Sequence, residues 1–415
     1  MEKGKKKILI HSLIFSPDGV STAYLYNDIA LAFKKRGYEV VVLSTTPHFN
    51  VVEKQLAEQP MKWGVWGLFK KSIFKGIPVY HVPQKKFKST FLRLIGFIYW
   101  HIISFFVGLF IKNVDVILSP SPPLTIGRIN NFLGWLKGCK VVYNVQEIYP
   151  DILNKPENSL IHRYLRGMEM RVYNNSAVVT TIDQVFYDTI VDRFKDKNKL
   201  HVIPNFVDTE LYHEGVPTAE LDKTLFPDND SIKLLYAGNI GFAQDWEPLI
   251  KLVDKTRDLN VEYFLIGMGV KKKWVEEQKA ALGLDKLHIL DYQPRHLMPA
   301  ILAYSDLQYI FMTPEQEGMG FPSKVYTIMA CGRPLLVCSG DNTPIVSFLK
   351  LVGCAKLITN HDLEQKTDEM AEWLKGMTRE KLREMGAKGE KIIKEKYTKE
   401  IVANQYVDLV DSILK

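Results

Sequence analysis

Apolar positions along this chain fall into short runs separated by stretches of helical periodicity. Residues 7–14, KILIHSLI, form a buried-strand pattern, and SPDGVST then carries turn chemistry into a helical stretch over about 23–35. RGY closes that helix and EVVVLST follows as a second strand. The start of the chain therefore reads strand, loop, helix, strand, the unit of a parallel sheet whose ligand site lies at the strands' carboxyl ends. VDVILSP, CKVVYNV, AVVTTI and KLHVIP continue the alternation, which predicts one doubly wound domain over 1–205. A linker-like stretch, NFVDTELYHEGVPTAELDKTLFPDNDS, precedes IKLLYAG, VEYFLIG, LHILDY, DLQYIF and RPLLVCS. These five runs predict a second α/β sheet domain over 206–397, and 398–415 reads as an amphipathic helix able to pack on either domain, the first included.

Composition supports two cores. The 415 residues, 46% hydrophobic and 24% charged, exceed what one conventional core holds. A formal net charge of +7 excludes a histone-like or wholly disordered chain. The charge is uneven: residues 1–112 carry 17 Lys and Arg against 6 Asp and Glu. Cys139, Cys331, Cys338 and Cys354 form no C-x-x-C pair, so neither a zinc site nor a disulfide framework is indicated and a reducing compartment is expected. The basic MEKGKKK start resembles a signal-peptide opening, but His11 and Ser12 break the apolar run and no small-residue cleavage site follows, so it reads as a first strand.

Between Gln59 and Lys112 there is no Asp or Glu, while nine Lys and Arg alternate with Trp63, Trp66, Phe69, Phe74, Phe87 and Trp100. Residues 91–111 are apolar apart from Arg93 and His101, long enough to cross a bilayer core of about 30 Å. A single crossing would separate the first two strands from the rest of their sheet, so a span is disfavoured. On a helical wheel Arg93, Gly96, Trp100, Ser104 and Gly108 share one stripe, with Leu, Ile and Phe elsewhere and Lys85, Lys86 and Lys88 upstream. That pattern predicts an in-plane helix on an anionic membrane surface, segment 59–112 being the contact. The alternative is a buried helix packed on the sheet. Nucleic acid is disfavoured because the aromatics sit in an aliphatic run rather than a polar groove.

Four glycine-bearing motifs are candidates for chemistry. SPDGVST places Gly19 between the first strand and helix, where backbone can approach a ligand or simply turn; it lacks G-x-G-x-x-G spacing, which disfavours NAD. YAGNIG sets Gly238, Asn239 and Gly241 directly after the first strand of the second domain, a phosphate-cradling position. FLIGMG gives Gly267 and Gly269 after the next strand, so both turns converge on one crevice. In EGMGFPSKVYTIMACGRPLLV a polar loop leads into a helix starting at Pro322, Ser323 and Lys324. A lysine there opposes the helix dipole unless an anion lies between them, which suggests phosphate recognition; the alternative is a solvent-facing lysine.

With these motifs in order, the chain resembles a retaining glycosyltransferase of family four with GT-B architecture, two Rossmann-like doubly wound domains facing across a cleft. IPNFVD at 203–208 is similar to the family's hinge motif I-P-N-G-V-D, Phe206 replacing Gly. VQEIYPD and the PSK variant look most like the branch that transfers amino sugars such as N-acetyl-fucosamine in bacterial surface-polysaccharide assembly. Family members carry two glutamates eight positions apart before A-x-G-x-P, contacting donor sugar and ribose. Here Thr327 stands where the second belongs, and Glu317 matches the first with a two-residue insertion. Where the branch has Asp-x-Trp-Pro, this chain has Glu147, Tyr149 and Pro150.

The resemblance implies a nucleotide-diphosphate sugar, with UDP favoured, bound mainly by the second domain, and an acceptor bound by the first. Gly238 to Gly241 amides, Ser323 and Lys324 would hold the diphosphate, and Thr327 would face the ribose. Lys324 and Glu317 are catalytic candidates on the donor side, and Glu147 is the candidate for orienting or deprotonating the acceptor. The resemblance implies transfer without a metal, the amides and Lys324 meeting the diphosphate's charge. The expected acceptor is a polyprenyl-diphosphate-linked sugar, met by a cytoplasmic enzyme peripheral on the inner membrane face. Two rival readings remain: a sugar-nucleotide epimerase of GT-B form, and a non-catalytic protein binding nucleotide sugar or membrane.

Overall fold

The structure is a computed structural model, and it describes residues 5–85, 89–153, 156, 158–317 and 321–415. The chain divides into two compact units, Met1–Asn205 with Glu400–Lys415, and Phe206–Lys399. The C-terminal helix thus packs within the N-terminal unit.

The first unit opens with β1 (Lys7–His11), α1 (Ser21–Lys35), β2 (Glu39–Thr45) and α2 (Glu53–Glu58). A hairpin follows, built from β3 (Lys62–Trp63), β4 (Lys70–Phe74) and β5 (Ile77–Val82). Then come α3 (Thr90–Phe110), β6 (Val116–Pro120), α4 (Leu124–Lys137), β7 (Lys140–Val145), α5 (Leu160–Asn175), β8 (Val178–Thr181), α6 (Gln184–Ile190) and β9 (Leu200–Val202). The sheet order is β3-β4-β5-β2-β1-β6-β7-β8-β9, parallel except where β4 pairs antiparallel with β3 and β5. Its central strands are buried apolar runs, as sheets covered on both faces require. Connections run one way from β1 to β2 and the other way from β5 through β8, so right-handed crossovers put α1 on one face and α3, α4 and α5 on the other.

The basic aromatic segment is therefore not one device. Residues 62–82 hold strands β3, β4 and β5, with β5 in parallel register on β2, and only α3 matches the expected helix. Lys86, Phe87 and Lys88 lie outside the described residues. Helix α3 buries Trp100, His101, Ser104, Val107 and Gly108 against the sheet core, which includes Leu43, Val82 and Ile117. A Cβ on Gly108 would come 2.8 Å from Leu133, so the small residue sets how closely α3 packs on α4. The opposite face is bare: Phe91 is 69% exposed, Ile98 49%, Ile102 51% and Phe110 68%. The sequence stripe thus marks the face turned inward, while the larger aliphatics point out.

The second unit contains β10 (Ile232–Ala237), α7 (Glu247–Lys255), β11 (Val261–Ile266), α8 (Lys272–Leu282), β12 (Leu287–Leu290), α9 (Met298–Tyr304) and β13 (Leu307–Phe311). It continues with α10 (Lys324–Ala330), β14 (Leu335–Cys338), α11 (Pro344–Val352), β15 (Ala355–Ile358), α12 (Leu363–Lys375) and α13 (Arg379–Lys396). All its strands are parallel in the order β12-β11-β10-β13-β14-β15, one strand more than the sequence pattern shows, because β15 is a partly buried edge strand, AKLI, whose apolar run is broken by Lys356. The order reverses between β10 and β13, and such a switch point opens a crevice at the strands' carboxyl ends.

The last helix, α14 (Lys399–Ile413), begins at the boundary and packs by α1 and β7 of the first unit. Arg36 pairs with Asp408 at 2.8 Å and Asp411 at 3.1 Å, and Asn144 donates to the Tyr406 hydroxyl at 2.9 Å.

Candidate active site

At the β10 switch point two turns nest. The Gly238 amide donates to the Ile266 carbonyl at 2.9 Å and the Ile240 amide to Met268 at 2.9 Å, so the turn after β10 lies along the turn after β11. Only glycine permits this at the second turn. A Cβ on Gly267, whose φ is +148°, would fall 1.9 Å from the Gly238 carbonyl, and one on Gly269 would fall 2.1 Å from the Ile240 carbonyl.

This nesting corrects the expectation that every amide from Gly238 to Gly241 faces a ligand. The Gly238 and Ile240 amides are spent on the neighbouring turn. The alternate amides, of Asn239 and Gly241, donate to no group among the described residues, while their carbonyls accept from Tyr236 Oη and Trp246 Nε1, each at 2.9 Å. The Gly241 amide shares its peptide plane with the Ile240 carbonyl, which accepts the Lys271 amide at 3.0 Å, so that donor is held in place for an anion.

Lys324 reaches the same turn from the start of α10. Its ammonium lies 3.8 Å from the Tyr236 ring centroid and 3.4 Å from the Ala237 carbonyl, and a Cβ on Gly238 would meet it at 3.0 Å. Burial pushes its pKa down to about 7 from an ordinary 10.5. A half-buried cation with an aromatic face and one carbonyl, but no carboxylate among the described residues, is electrostatically incomplete. It is therefore not the solvent-facing lysine of the alternative reading.

The neighbouring candidates divide. Ser323 is exposed and its hydroxyl caps nothing in α10. The Thr327 hydroxyl donates to the Lys324 carbonyl at 2.8 Å, a bond inside the helix that leaves only its lone pairs for a ligand. Glu317 has its contacts elsewhere: its carboxylate lies 3.8 Å from His361 Nε2, and a Cβ on Gly340, past β14, would meet it at 2.6 Å. Gly318, Met319 and Gly320 of the EGMG loop lie outside the described residues.

In the first unit Gly19 has a neighbour in its own chain. Its amide donates to the Asn50 carbonyl at 2.8 Å, and a Cβ would meet Asn50 and Val52 at 3.0 Å. Beside it the buried Asp18 carboxylate accepts the His48, Phe49 and Asn50 amides at 2.9–3.0 Å. The close approach at Gly19 is thus to residues 50–52, which the turn-glycine reading allows.

Glu147 follows β7 and is half-buried; burial raises its carboxyl above the usual range, and a hydrogen bond from Tyr149 opposes the shift. Its neighbour Gln146 is fixed by an amide pair with Asn205, 3.1 and 3.0 Å, which ties VQEIYPD to the start of IPNFVD. Four residues on, Asp151 pairs with Arg166 and, at 2.6 Å, with Arg193. Both arginines also hold the fully buried Glu169 at 2.7 Å. The Tyr236 ring, the Gln146–Asn205 pair and this charge cluster are contributions that no local sequence signal exposes, since each joins residues far apart in the chain.

Comparison with known proteins fits this geometry. Residues 23–211 match the family model Glycosyltransferase Family 4, and residues 218–392 match Glycosyl transferases group 1. The chain is a glycosyltransferase of GT-B architecture, made of two Rossmann-like α/β domains. It is 23% identical over 356 residues to WcaI of Escherichia coli (strain K12), named as a colanic acid biosynthesis glycosyl transferase, covering 82% of this chain and 84% of that one. It is 24% identical over 238 residues to the glycosyltransferase WbjE of Pseudomonas aeruginosa, covering 54% and 57%. Among solved structures, Anabaena HepE in complex with UDP superposes with a TM-score of 0.68 at 14% identity, over 98% of this chain and 100% of that one.

Proposed function

We propose that this glycosyltransferase moves a sugar, an N-acetylated amino sugar in the favoured reading, from a nucleotide diphosphate to a polyprenyl-diphosphate-linked acceptor during bacterial surface-polysaccharide synthesis. The observation that carries the donor half is the incomplete cation at Lys324 beside the two undonated amides of Asn239 and Gly241. UDP is favoured because HepE, of like fold, binds it, and the polysaccharide role is favoured by the colanic acid assignment of WcaI.

In this proposal the acceptor hydroxyl attacks the anomeric carbon on the face the leaving group vacates. The bond from that carbon to the diphosphate oxygen breaks, and the acceptor proton passes to the departing phosphate. Lys324 and the two amides receive the charge that develops on the diphosphate, a stabilisation that needs no metal. Glu147, raised by burial, orients the acceptor hydroxyl. The enzyme works at the inner face of the cytoplasmic membrane, docked by the bare face of α3, whose aliphatics suit the acyl boundary.

Two experiments test this reading. Incubation with labelled UDP-N-acetylhexosamines and a bacterial lipid extract should put label in the lipid phase with the anomeric configuration kept. Epimerised nucleotide sugar, or no product with any UDP sugar, contradicts it. Alkaline carbonate should release the protein from membranes; resistance would mean an integral span.

A further inference from the structure

The bare apolar surface does not end with α3. Phe105 stacks on Phe132 of α4 at 5.6 Å, and Phe132 stacks on Trp135 at 5.8 Å, leaving Phe132 51% and Trp135 75% exposed. Beside these rings a groove of about 940 Å³ opens, walled by Ile102, Phe106, Phe132 and Trp135 and carrying Arg128 and Lys140.

The charge there is one-sided. From Gln59 to Gln146 the sequence has twelve Lys and Arg and a single carboxylate, Asp115. That carboxylate is already engaged by the Lys7 amide at 2.7 Å. Two nearby cations have structural duties: Lys137 donates to the Leu109 and Ile111 carbonyls at the end of α3, and Lys199 donates to those of Asn174 and Ser176 at the end of α5. Arg128 and Lys140 are exposed, and their side chains have no hydrogen-bond or ion-pair partner among the described residues. Cations without partners beside an apolar wall match the two halves of a phospholipid, phosphate and acyl chain, and match neither a neutral lipid nor a basic protein.

We propose that this groove seats an anionic phospholipid, its headgroup against Arg128 and Lys140 and its acyl chains along Phe106, Phe132 and Trp135. The proposal rests on the docking of α3 and extends it: the aliphatic face supplies insertion, and the groove supplies preference for negative lipid.

The test is sedimentation of the full chain with vesicles of phosphatidylcholine alone, or with about 30 mol % phosphatidylglycerol. The wild type should partition about tenfold better onto the anionic vesicles. Arg128→Ala with Lys140→Ala should lose most of that preference and keep its binding to phosphatidylcholine. A charge-matched control, Lys35→Ala with Lys54→Ala on α1 and α2, should keep the preference. Phosphatidylglycerol brominated on its acyl chains should quench wild-type fluorescence more than that of Trp135→Phe. An equal preference in the double variant and the control, or equal quenching, overturns the groove and leaves docking intact. Failure to bind either vesicle overturns docking and the groove together.

Discussion

The Lys324 ammonium stands 3.8 Å from the centre of the Tyr236 ring. An aromatic face supports a cation without neutralising it, typically by about 0.5–2 kcal/mol. Desolvation outweighs that support, which is why the group's pKa falls to about 7.

Proton uptake on nucleotide binding follows from that value. At pH 8 roughly nine in ten free molecules carry a neutral Lys324. A diphosphate beside it favours the charged form, so binding UDP takes up close to one proton at pH 8 and much less at pH 6. Calorimetry in two buffers of different ionisation enthalpy reads the difference. Without ligand, the folded pKa lies below the unfolded one and the unfolded chain binds more protons between about pH 7 and 10.5. Stability linked to this group therefore rises with pH across that window.

Gly269→Ala tests the nested turns. A methyl group 2.1 Å from the Ile240 carbonyl forces the two turns apart. Overpacking of backbone on backbone costs roughly 2–4 kcal/mol. A denaturant midpoint lowered accordingly, with UDP affinity reduced as well, is expected; a neutral substitution would mean that the turns are not in contact.

Acid sensitivity has a source in the first unit. His11 and His81 are buried, bonded to Asn130 and to Ser72 and Thr45 respectively, and burial lowers each to about 4 from 6.5. With the folded pKa depressed, the unfolded chain binds more protons below about pH 6.5. Stability is fully present above that pH and is lost as pH falls towards 4, by up to about 3 kcal/mol per histidine. Denaturation at pH 7.5 and pH 5 measures the slope, and a flat profile contradicts the neutral buried pair.

The charge cluster behind Glu147 predicts an asymmetric response. Glu169→Ala leaves Arg166 and Arg193 without their buried partner, with an expected loss of about 3 kcal/mol. Asp151 is partly exposed, so Asp151→Asn should cost little stability and instead loosen the loop carrying Glu147, raising the acceptor KM. Calorimetric melting and acceptor titration separate the two effects.

Much of this was legible because buried parallel strands announce themselves as apolar runs and glycine turns follow them. Gly238, Gly267 and Lys324 meet at one switch point for that reason. The β4–β5 hairpin was not legible: its two-residue turn is Lys75–Gly76, with Lys75 at φ +44°, and a lysine gives no signal for the left-handed conformation it adopts. Nor does a glycine-rich run reveal which amides remain undonated. That depends on the register between two turns, which placed Asn239 and Gly241 outward and Gly238 inward. Gly19 and Glu317 show the converse, residues of suitable type whose nearest partners are in their own chain.

The most direct test is the turnover of Lys324→Met with a UDP sugar and lipid acceptor, measured beside its melting temperature. If the ammonium completes a diphosphate site, kcat/KM falls at least about a hundredfold while the protein melts at the same temperature or higher, since a half-buried charge has been removed. Wild-type kcat/KM in a folded Lys324→Met protein would contradict the account.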